Sequence, residues 1–183
     1  MKVNQPYKIV IIGPESTGKS SLCQGLAAHY NALWCPEYAR AYLEGKKVGT
    51  QYTEEDLLAI AKGQLVAQDA YFKKATIRKD RFLFIDTDMY VMKTWSEFSF
   101  DRCAHWILEQ IAERQYDYYL LGDIDLPWQE DPLREYPDPD MRKRLMLHYK
   151  DILIQQSTPF SIISGTGNAR LSGAIQRLDN HFT

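Results

Sequence analysis

Residues 13–20 read Gly13-Pro14-Glu15-Ser16-Thr17-Gly18-Lys19-Ser20 and match the pattern G-x-x-x-x-G-K-[S/T] at every position. The match lies between a short apolar, β-branched run, Tyr7 to Ile12, and a segment whose apolar residues have helical spacing. In that context the glycines let backbone N–H groups turn inward around phosphate oxygens, and the helix N-terminus adds partial positive charge. The pattern therefore predicts a loop that binds the phosphates of a nucleotide.

Several side chains of this loop have expected roles. We expect Lys19 to reach the β and γ phosphates of ATP, and the Ser20 hydroxyl to bind the accompanying Mg²⁺. Glu15 and Thr17 either take a direct chemical role or only shape the loop. The residues predicted to bind the nucleotide cofactor are Gly13, Glu15, Ser16, Thr17, Gly18, Lys19, Ser20 and Ser21.

Strand-like and helix-like segments alternate along the rest of the chain. Apolar runs predict strands at 7–12, 32–35, 82–85, 118–121 and 160–164. Helical spacing predicts helices at about 53–79, 100–114, 141–156 and 169–178, the first opened by a capping box at 53–56. This alternation implies right-handed crossovers, so we predict an α/β, phosphate-loop kinase-like fold of three layers, with a parallel sheet covered by helices on both faces. We expect one domain over residues 1–183, with ligands at the carboxyl ends of the strands.

A proline-rich stretch interrupts the alternation between residues 127 and 140. Four prolines and many charges block regular structure there, so we expect an exposed, mobile loop that acts as a lid. Closing this loop would deliver Arg134 to a transferring phosphoryl group, whose charge is spread over three oxygens. Arg142 and Arg144 fit solvated helix charges better.

The composition excludes several classes of protein. With 183 residues, 45% of them hydrophobic, the chain has enough apolar material for a packed core. The net charge of −2 provides no overall positive field for holding nucleic acid. Apolar runs are far shorter than the ~18 residues of a membrane span, and the N-terminus lacks the pattern of a signal peptide. We therefore expect a cytoplasmic protein without a nucleic-acid or membrane partner, and reduced cysteines that serve in packing.

Acidic residues follow two of the predicted strands. Asp86 comes directly after the apolar run 82–85, where phosphate-loop proteins place the acid of the Mg²⁺ site, although a turn aspartate that caps a helix also fits. Glu37 follows the short strand at 32–35, where a carboxylate either accepts a proton from an attacking hydroxyl or is a solvated turn acid. Arg40 either pairs with Glu37, contacts phosphate or is an exposed helix residue.

A further acidic and aromatic segment follows the strand at 118–121. Asp123, Asp125 and Trp128 lie within six residues of one another, and an acidic, aromatic pocket suits a positively charged ring. A tryptophan face attracts such a cation by about 0.5 to 2 kcal/mol. Trp128 equally fits a packing residue, as does Trp95.

Four segments together resemble the ribosylnicotinamide kinase domain of the bacterial NadR family. They are GPESTGKSS at 13–21, PEYARAYL at 36–43, DTDMYVMKTW at 86–95 and LLGDIDLPWQEDPLRE at 120–135, and their order runs through most of the chain. The resemblance implies a phosphate-loop kinase with a lid over the nucleotide. It also implies ATP-dependent phosphorylation of nicotinamide riboside on its 5′ hydroxyl, which yields nicotinamide mononucleotide.

The resemblance implies roles for individual residues. Lys19 and Ser20 would carry phosphate and Mg²⁺, with Asp86 as the acidic partner of the metal. Glu37, Asp88, Asp125 and Trp128 are implied near the riboside. With Tyr38 and Arg40 they form the predicted substrate-binding set, and the predicted catalytic set is Lys19, Glu37, Asp86 and Arg134. Larger NadR proteins also carry a DNA-binding segment and an adenylyltransferase domain, whereas here the kinase motifs start close to Met1 and no H-x-G-H signature occurs. We therefore expect those two activities to be absent.

Other functions fit parts of the same pattern. The acceptor of the phosphoryl group could be another nucleoside or a nucleotide. A protein of a different class, an NTP-dependent switch whose proline-rich loop responds to hydrolysis, would use the same phosphate loop. The acid-rich strand ends favour an enzyme with an acceptor pocket, and the sequence leaves the oligomeric state open.

Overall fold

The computed structural model describes residues 5–46 and 51–183. The strands are β1 (Tyr7–Ile12), β2 (Leu33–Cys35), β3 (Phe82–Asp86), β4 (Tyr118–Gly122) and β5 (Phe160–Ile163). The helices are α1 (Lys19–His29), α2 (Tyr38–Glu44), α3 (Glu54–Arg78), α4 (Met89–Phe100), α5 (His105–Glu113), α6 (Pro139–Gln155) and α7 (Gly167–His181). All five predicted strands are present, within one residue of their predicted bounds.

The strands form one sheet in the order β2-β3-β1-β4-β5, and every neighbouring pair is parallel. β1 lies at the centre, with Ile9 opposite Phe84 of β3 on one side and Tyr118 of β4 on the other. A central parallel strand is buried on both faces, which explains why Ile9 to Ile12 is apolar without alternation.

Helices cover both faces of this sheet, as predicted. On one face, Ile9, Ile11 and Phe84 pack with apolar residues of α1 and α7. On the other face, Val10 and Ile12 pack with apolar residues of α2 to α6. The predicted α/β fold with three layers is therefore confirmed.

One predicted helix is wrong in its bounds. The segment 100–114 contains the end of α4 and the whole of α5, because Asp101 has a φ of 54° and ends α4 at Phe100. Asp88 starts α4 by accepting a hydrogen bond from the Tyr90 N–H at 3.0 Å. The sequence analysis predicted no helix between 89 and 99.

The capping box at the start of α3 is present. The Thr53 side chain accepts from the Asp56 N–H, and the Asp56 carboxylate accepts from the Thr53 N–H at 2.7 Å. Asp56 also accepts hydrogen bonds from Tyr42 and Lys46, and these partners hold its pKa well below the usual range. This corner ties the end of α2 to the start of α3.

The parallel order brings the loops after β1, β2, β3 and β4 to one edge of the sheet. The phosphate loop, Glu37 and the segment 127–138 follow the carboxyl ends of strands, and Asp86 is the last residue of β3. Between Pro127 and Asp138 the chain forms neither helix nor strand. Across the two ranges described, no helix is both long enough and apolar enough to pass through a membrane.

Candidate active site

The phosphate loop connects β1 to α1, and its backbone requires glycine at two positions. Gly13 has a φ of 140°, and a Cβ atom there would lie 2.9 Å from the carbonyl oxygen of Gly122 in β4. Gly18 has a φ of 72° and directly precedes the first residue of α1, Lys19. The free N–H groups at the start of α1 therefore face the loop interior, the arrangement that binds phosphate oxygens.

Hydrogen bonds inside the loop position its polar side chains. Lys19 Nζ donates to the carbonyl oxygen of Pro14 at 2.9 Å, and Thr17 Oγ1 donates to the same oxygen at 2.8 Å. Gly122 in β4 packs against Thr17, and a Cβ on Gly122 would lie 3.0 Å from Thr17 Oγ1. Gly13 of the loop and Gly122 of β4 thus allow the loop to pack closely against β4.

Ser20 and Asp86 meet at the start of α1. The Ser20 hydroxyl donates to Asp86 Oδ2 at 2.5 Å, whereas the buried Asp86 Oδ1 has no hydrogen-bond partner among the described residues. Burial raises the pKa of Asp86, while the charge of Lys19 and the hydrogen bond from Ser20 lower it. A hydroxyl and a carboxylate with one free oxygen suit a hard cation such as Mg²⁺.

A cavity of about 780 Å³ opens in front of the phosphate loop. Its polar wall includes Glu37, Arg40 and Arg134. Burial raises the pKa of Glu37; the Asp86 charge raises it too, and the charges of Lys19 and the two arginines lower it. A carboxyl group with a raised pKa inside a cavity is well suited to proton transfer.

Part of the cavity wall is aromatic and apolar. Trp95 and Phe98 of α4, Tyr136 of the proline-rich segment and Tyr149 of α6 line it. The Trp95 indole N–H donates to the Tyr52 hydroxyl at 2.9 Å, which fixes the plane of the ring. The sequence left Trp95 open between an aromatic pocket and packing, and the structure places it at the cavity.

The proline-rich segment (127–138) lies against the phosphate loop. Glu15 accepts from the N–H groups of Glu135 and Tyr136 at 2.9 and 3.1 Å. Ser16 Oγ accepts from the Gln129 N–H at 2.9 Å, and Arg40 pairs with Asp131 at 2.8 Å. Glu15 and Ser16 therefore hold this segment over the loop through their side chains.

Two buried arginines donate to backbone carbonyl oxygens of the phosphate loop, and one of them, Arg170, also lines the cavity. Arg142 of α6 is 7% exposed and donates to the carbonyl oxygen of Leu126 at 3.2 Å, so its interpretation as a solvated helix charge is wrong. Arg170 of α7 is 4% exposed and donates to the carbonyl oxygens of Thr17 and Asp123 at 2.9 and 3.0 Å. The sequence analysis did not identify Arg170.

The spacing of apolar residues along α6 and α7 indicates that both arginines are buried. Arg142 precedes the buried Leu145 and Tyr149 by three and seven positions, and Arg170 precedes Ala174 by four. Each arginine therefore lies on the buried stripe of its helix.

Several residues implied near the riboside lie elsewhere. Asp125 pairs with Arg170 at 2.7 Å, which supports the loop from behind. Trp128 lies under the guanidinium of Arg142, 5.8 Å from it, and packs outside the cavity wall. Tyr38, at the start of α2, packs its ring on Gly63 of α3. Of the riboside set, Glu37 and Arg40 line the cavity.

Asp88 is buried beside the tyrosines of β4 and away from the phosphate loop. Its carboxylate accepts from the Tyr119 hydroxyl at 2.7 Å and from the Tyr90 N–H. Burial raises the pKa of Asp88 from 3.8 to about 6, with both hydrogen bonds opposing the shift. Asp88 therefore caps α4 and links it to the sheet.

This buried carboxyl group predicts a pH dependence of stability. Because its folded pKa is raised, the protonated form stabilises the fold below the unfolded pKa of 3.8, and this stability is lost as pH rises through about 6. The quantity compared is the free energy of unfolding of wild type minus that of Asp88→Asn. We expect this difference to fall by about 3 kcal/mol as the pH rises from 3.8 to about 6. Urea unfolding at several pH values measures the difference, and a difference that is flat with pH would contradict the assignment.

Comparisons with known proteins place this site in a family. A family model described as an AAA domain matches residues 8–170. The trifunctional NAD biosynthesis/regulator protein NadR of Salmonella typhimurium is 30% identical over 130 residues, which are 69% of this chain and 30% of that protein. NadR of Escherichia coli is 28% identical over 156 residues, 83% of this chain and 37% of that protein. The chain thus spans about a third of the length of these curated relatives.

Solved structures show the same fold. A crystal structure of NadR in complex with NR has a TM-score of 0.69 at 21% identity and covers 96% of this chain and 49% of that one. Thymidylate kinase from Ehrlichia chaffeensis has a TM-score of 0.63 at 15% identity, over 95% of this chain and 99% of that one. The predicted resemblance to the NadR family is confirmed. With its phosphate loop, parallel sheet and matched residues 8–170, the chain belongs to the AAA-domain family of phosphate-loop proteins.

Proposed function

We propose that this protein is an ATP-dependent kinase that phosphorylates the 5′ hydroxyl of nicotinamide riboside to give nicotinamide mononucleotide. The observation that carries the proposal is the cavity, which joins a phosphate loop to a carboxyl group and an aromatic wall. A phosphate loop alone serves many reactions, whereas an enclosed space for a second molecule beside it favours transfer to an acceptor. The similarity to NadR, one structure of which contains NR, favours a riboside as that acceptor.

The nucleotide would bind with its phosphates in the loop 13–20. Lys19 and the N–H groups at the start of α1 offer positive charge to the β and γ phosphates. Ser20 and the free Oδ1 of Asp86 would hold Mg²⁺, which when bound neutralises negative charge on the phosphates. The loop and this acid thus meet the main electrostatic requirement of phosphoryl transfer.

The acceptor hydroxyl would lie between Glu37 and the γ phosphate. Glu37 would accept the hydroxyl proton as the oxygen attacks phosphorus, the bond to the leaving ADP oxygen breaks, and the phosphoryl group passes to the acceptor. Arg134 lines the cavity and donates to the carbonyl oxygen of Gln129 at 2.6 Å. From the proline-rich segment, which we propose acts as a lid, it would stabilise charge on the transferring group.

The aromatic wall favours a flat, cationic base. Trp95, Phe98 and Tyr136 line the cavity together with Glu37, and Asp86 lies beside Ser20 at the start of α1. A pyridinium ring is attracted both to aromatic faces and to carboxylates, by about 0.5 to 2 kcal/mol for a single face. Nicotinamide riboside carries this ring, whereas the bases of the common nucleosides are neutral.

A panel of acceptors tests the proposal. The purified protein is incubated with ATP and Mg²⁺ and with nicotinamide riboside, its uncharged reduced form, the common ribo- and deoxyribonucleosides, or nucleoside monophosphates. The proposal expects phosphorylated nicotinamide riboside as the main product, with a higher kcat/KM than for the uncharged form. If another acceptor is phosphorylated preferentially, nicotinamide riboside is not the substrate, but the protein is still a kinase. ATP hydrolysis without any phosphorylated acceptor would favour a switch.

Two substitutions should separate proton transfer from metal binding. We expect Glu37→Gln to lower kcat by about 10²-fold while the Mg²⁺ dependence stays that of wild type, because the amide cannot accept the proton. We expect Asp86→Asn to raise the Mg²⁺ concentration needed for half-maximal activity, because one negative metal ligand is lost. Turnover measured against Mg²⁺ concentration checks both, and identical Mg²⁺ curves for the two variants would refute this division of roles.

A further inference from the structure

The two acids of the site stand at the ends of neighbouring strands. β2 pairs with β3 so that Cys35 is opposite Ile85, which puts Asp86 one residue and Glu37 two residues beyond the paired positions. β2 is three residues long and lies at the edge of the sheet, so its ladder gives the Glu37 backbone little support. Something besides the sheet must fix the distance between these acids.

The side chain of Gln64 spans these two strand ends. Gln64 lies on α3, is 1% exposed, and accepts through Oε1 from the N–H of Tyr38, the residue after Glu37, at 2.7 Å. Its Nε2 donates to the carbonyl oxygen of Asp86 itself at 3.4 Å. The side-chain amide of Gln64 therefore links the carbonyl group of Asp86 to the N–H of Tyr38, which belongs to the peptide bond that follows Glu37.

Gly63, the residue before Gln64, allows Tyr38 to pack closely against α3. A Cβ on Gly63 would lie 2.1 Å from Cε1 of Tyr38, so the Tyr38 ring packs on the bare backbone of α3. This packing holds Tyr38 at the distance where its N–H reaches Gln64. Gly63 and Gln64 thus fix the start of α2 against α3. Glu37 directly precedes this start.

We propose that Gln64 is a positioning residue of the phosphoryl-transfer site, which holds Glu37 at a fixed distance from Asp86 through the backbone on both sides. This inference rests on the proposed function for its kinetic consequence and on geometry alone for its structural consequence. Without Gln64, the loop between β2 and α2 would loosen and carry Glu37 away from the acceptor hydroxyl. The phosphate loop would keep its contacts, because Gln64 makes no hydrogen bond to residues 13–20 within the described chain.

The chain offers a matched control one turn along α3. Gln68 is 3% exposed, donates to the carbonyl oxygen of Thr87 at 3.4 Å and accepts from the Tyr116 hydroxyl at 2.9 Å. It shares with Gln64 the residue type, the helix, the burial and one acceptor, the Thr87 carbonyl. It contacts neither Tyr38 nor Asp86 by a hydrogen bond. Gln64→Met and Gln68→Met therefore remove similar buried amides with different partners.

Steady-state kinetics gives the first comparison. We expect Gln64→Met to lower kcat by about 10- to 100-fold with the KM for ATP near that of wild type, because small misplacements of reacting groups have effects of this size. We expect Gln68→Met to keep kcat within about threefold of wild type, although both variants lose stability. Equal kcat values for the two variants would overturn the proposal.

Two NMR measurements test the positioning without using the reaction. The Tyr38 amide should exchange with solvent much faster in Gln64→Met than in wild type or Gln68→Met. The titration of the Glu37 carboxyl, followed by carbon labelling, should move toward its ordinary value in Gln64→Met only. The groups that face Glu37 and set this titration are Lys19, Asp86, Arg40 and Arg134.

Gly63→Ala provides a second route to the same displacement, should Gln64→Met fail to fold. Alanine is the better helix former by about 1 kcal/mol, and its methyl group pushes the exposed Tyr38 ring away while every atom of Gln64 remains. The proposal requires kcat to fall in step with faster Tyr38 exchange across the variants; a variant that changes one without the other overturns it. If wild type phosphorylates no acceptor, the proposed function fails, and the exchange and titration still decide the role of Gln64.

Discussion

Replacing Lys19 by alanine should reduce turnover by about 10³-fold, the largest kinetic effect expected in this protein. Lys19 is the first residue of α1, and in the proposed site its ammonium would meet the β and γ phosphates of a nucleotide bound in the loop. During transfer, negative charge spreads over the phosphoryl oxygens, and no other ammonium group lines the cavity among the described residues. The lost charge therefore raises the barrier of the chemical step.

The measurement is kcat with the acceptor that wild type phosphorylates, at saturating ATP and Mg²⁺. Lys143→Ala, at an exposed position on α6, removes the same charge elsewhere and should behave as wild type. Thermal unfolding should show that Lys19→Ala keeps the fold, because Lys19 is partly exposed. Turnover within about tenfold of wild type would mean that phosphate charge is stabilised by other groups.

Replacing Arg170 by methionine should lower the free energy of unfolding by about 3 to 5 kcal/mol, the largest stability effect expected. Arg170 joins three parts of the site, since it pairs with Asp125 and donates to the carbonyl oxygens of Thr17 and Gly165. Methionine fills much of the volume and leaves these acceptors without their donor. Arg170 is buried and Asp125 is about a third exposed, so most of this cost comes from the carbonyl oxygens of Thr17 and Asp123, which lose a charged donor.

Urea unfolding of the two proteins measures the change, and Arg177→Met is the control. Arg177 lies two turns further along α7 at an exposed position, where a substitution should change stability by less than about 0.5 kcal/mol. Nucleotide affinity should also fall for Arg170→Met, because Thr17 belongs to the phosphate loop. A stability change similar to that of the control would show that Arg170 contributes little to holding the loop.

The strands and the phosphate loop could be predicted because their signals are local. Ile9 to Ile12 and Phe82 to Ile85 are continuous apolar runs, as a parallel sheet buried on both faces requires. The helix boundary at Asp101 was missed because it depends on one residue in the left-handed region. No Gly or Pro marks that position, so the predicted helix starts at residue 100 instead of 105, and α4 before it is absent from the prediction.

The direction of side chains was the least predictable property of the site. Asp88 and Trp128 follow strands, as ligand-binding residues do, yet tertiary packing directs them to Tyr119 and Arg142. The role of Gln64 could not be found from the sequence, because it contacts backbone groups of Asp86 and Tyr38, which are 22 and 26 residues away. Segment order shows which loops meet, and only the packed structure shows which side chains point between them.

The hydrogen bond from Trp95 to Tyr52 has a practical use in spectroscopy. The Tyr52 hydroxyl also donates to Glu135 at 2.7 Å, so the indole is connected through one phenol to the proline-rich segment. Indole emission depends on the polarity and hydrogen bonding around the ring. The protein therefore contains an intrinsic fluorophore whose emission would report, without any attached dye, a change in the contact between that segment and Tyr52.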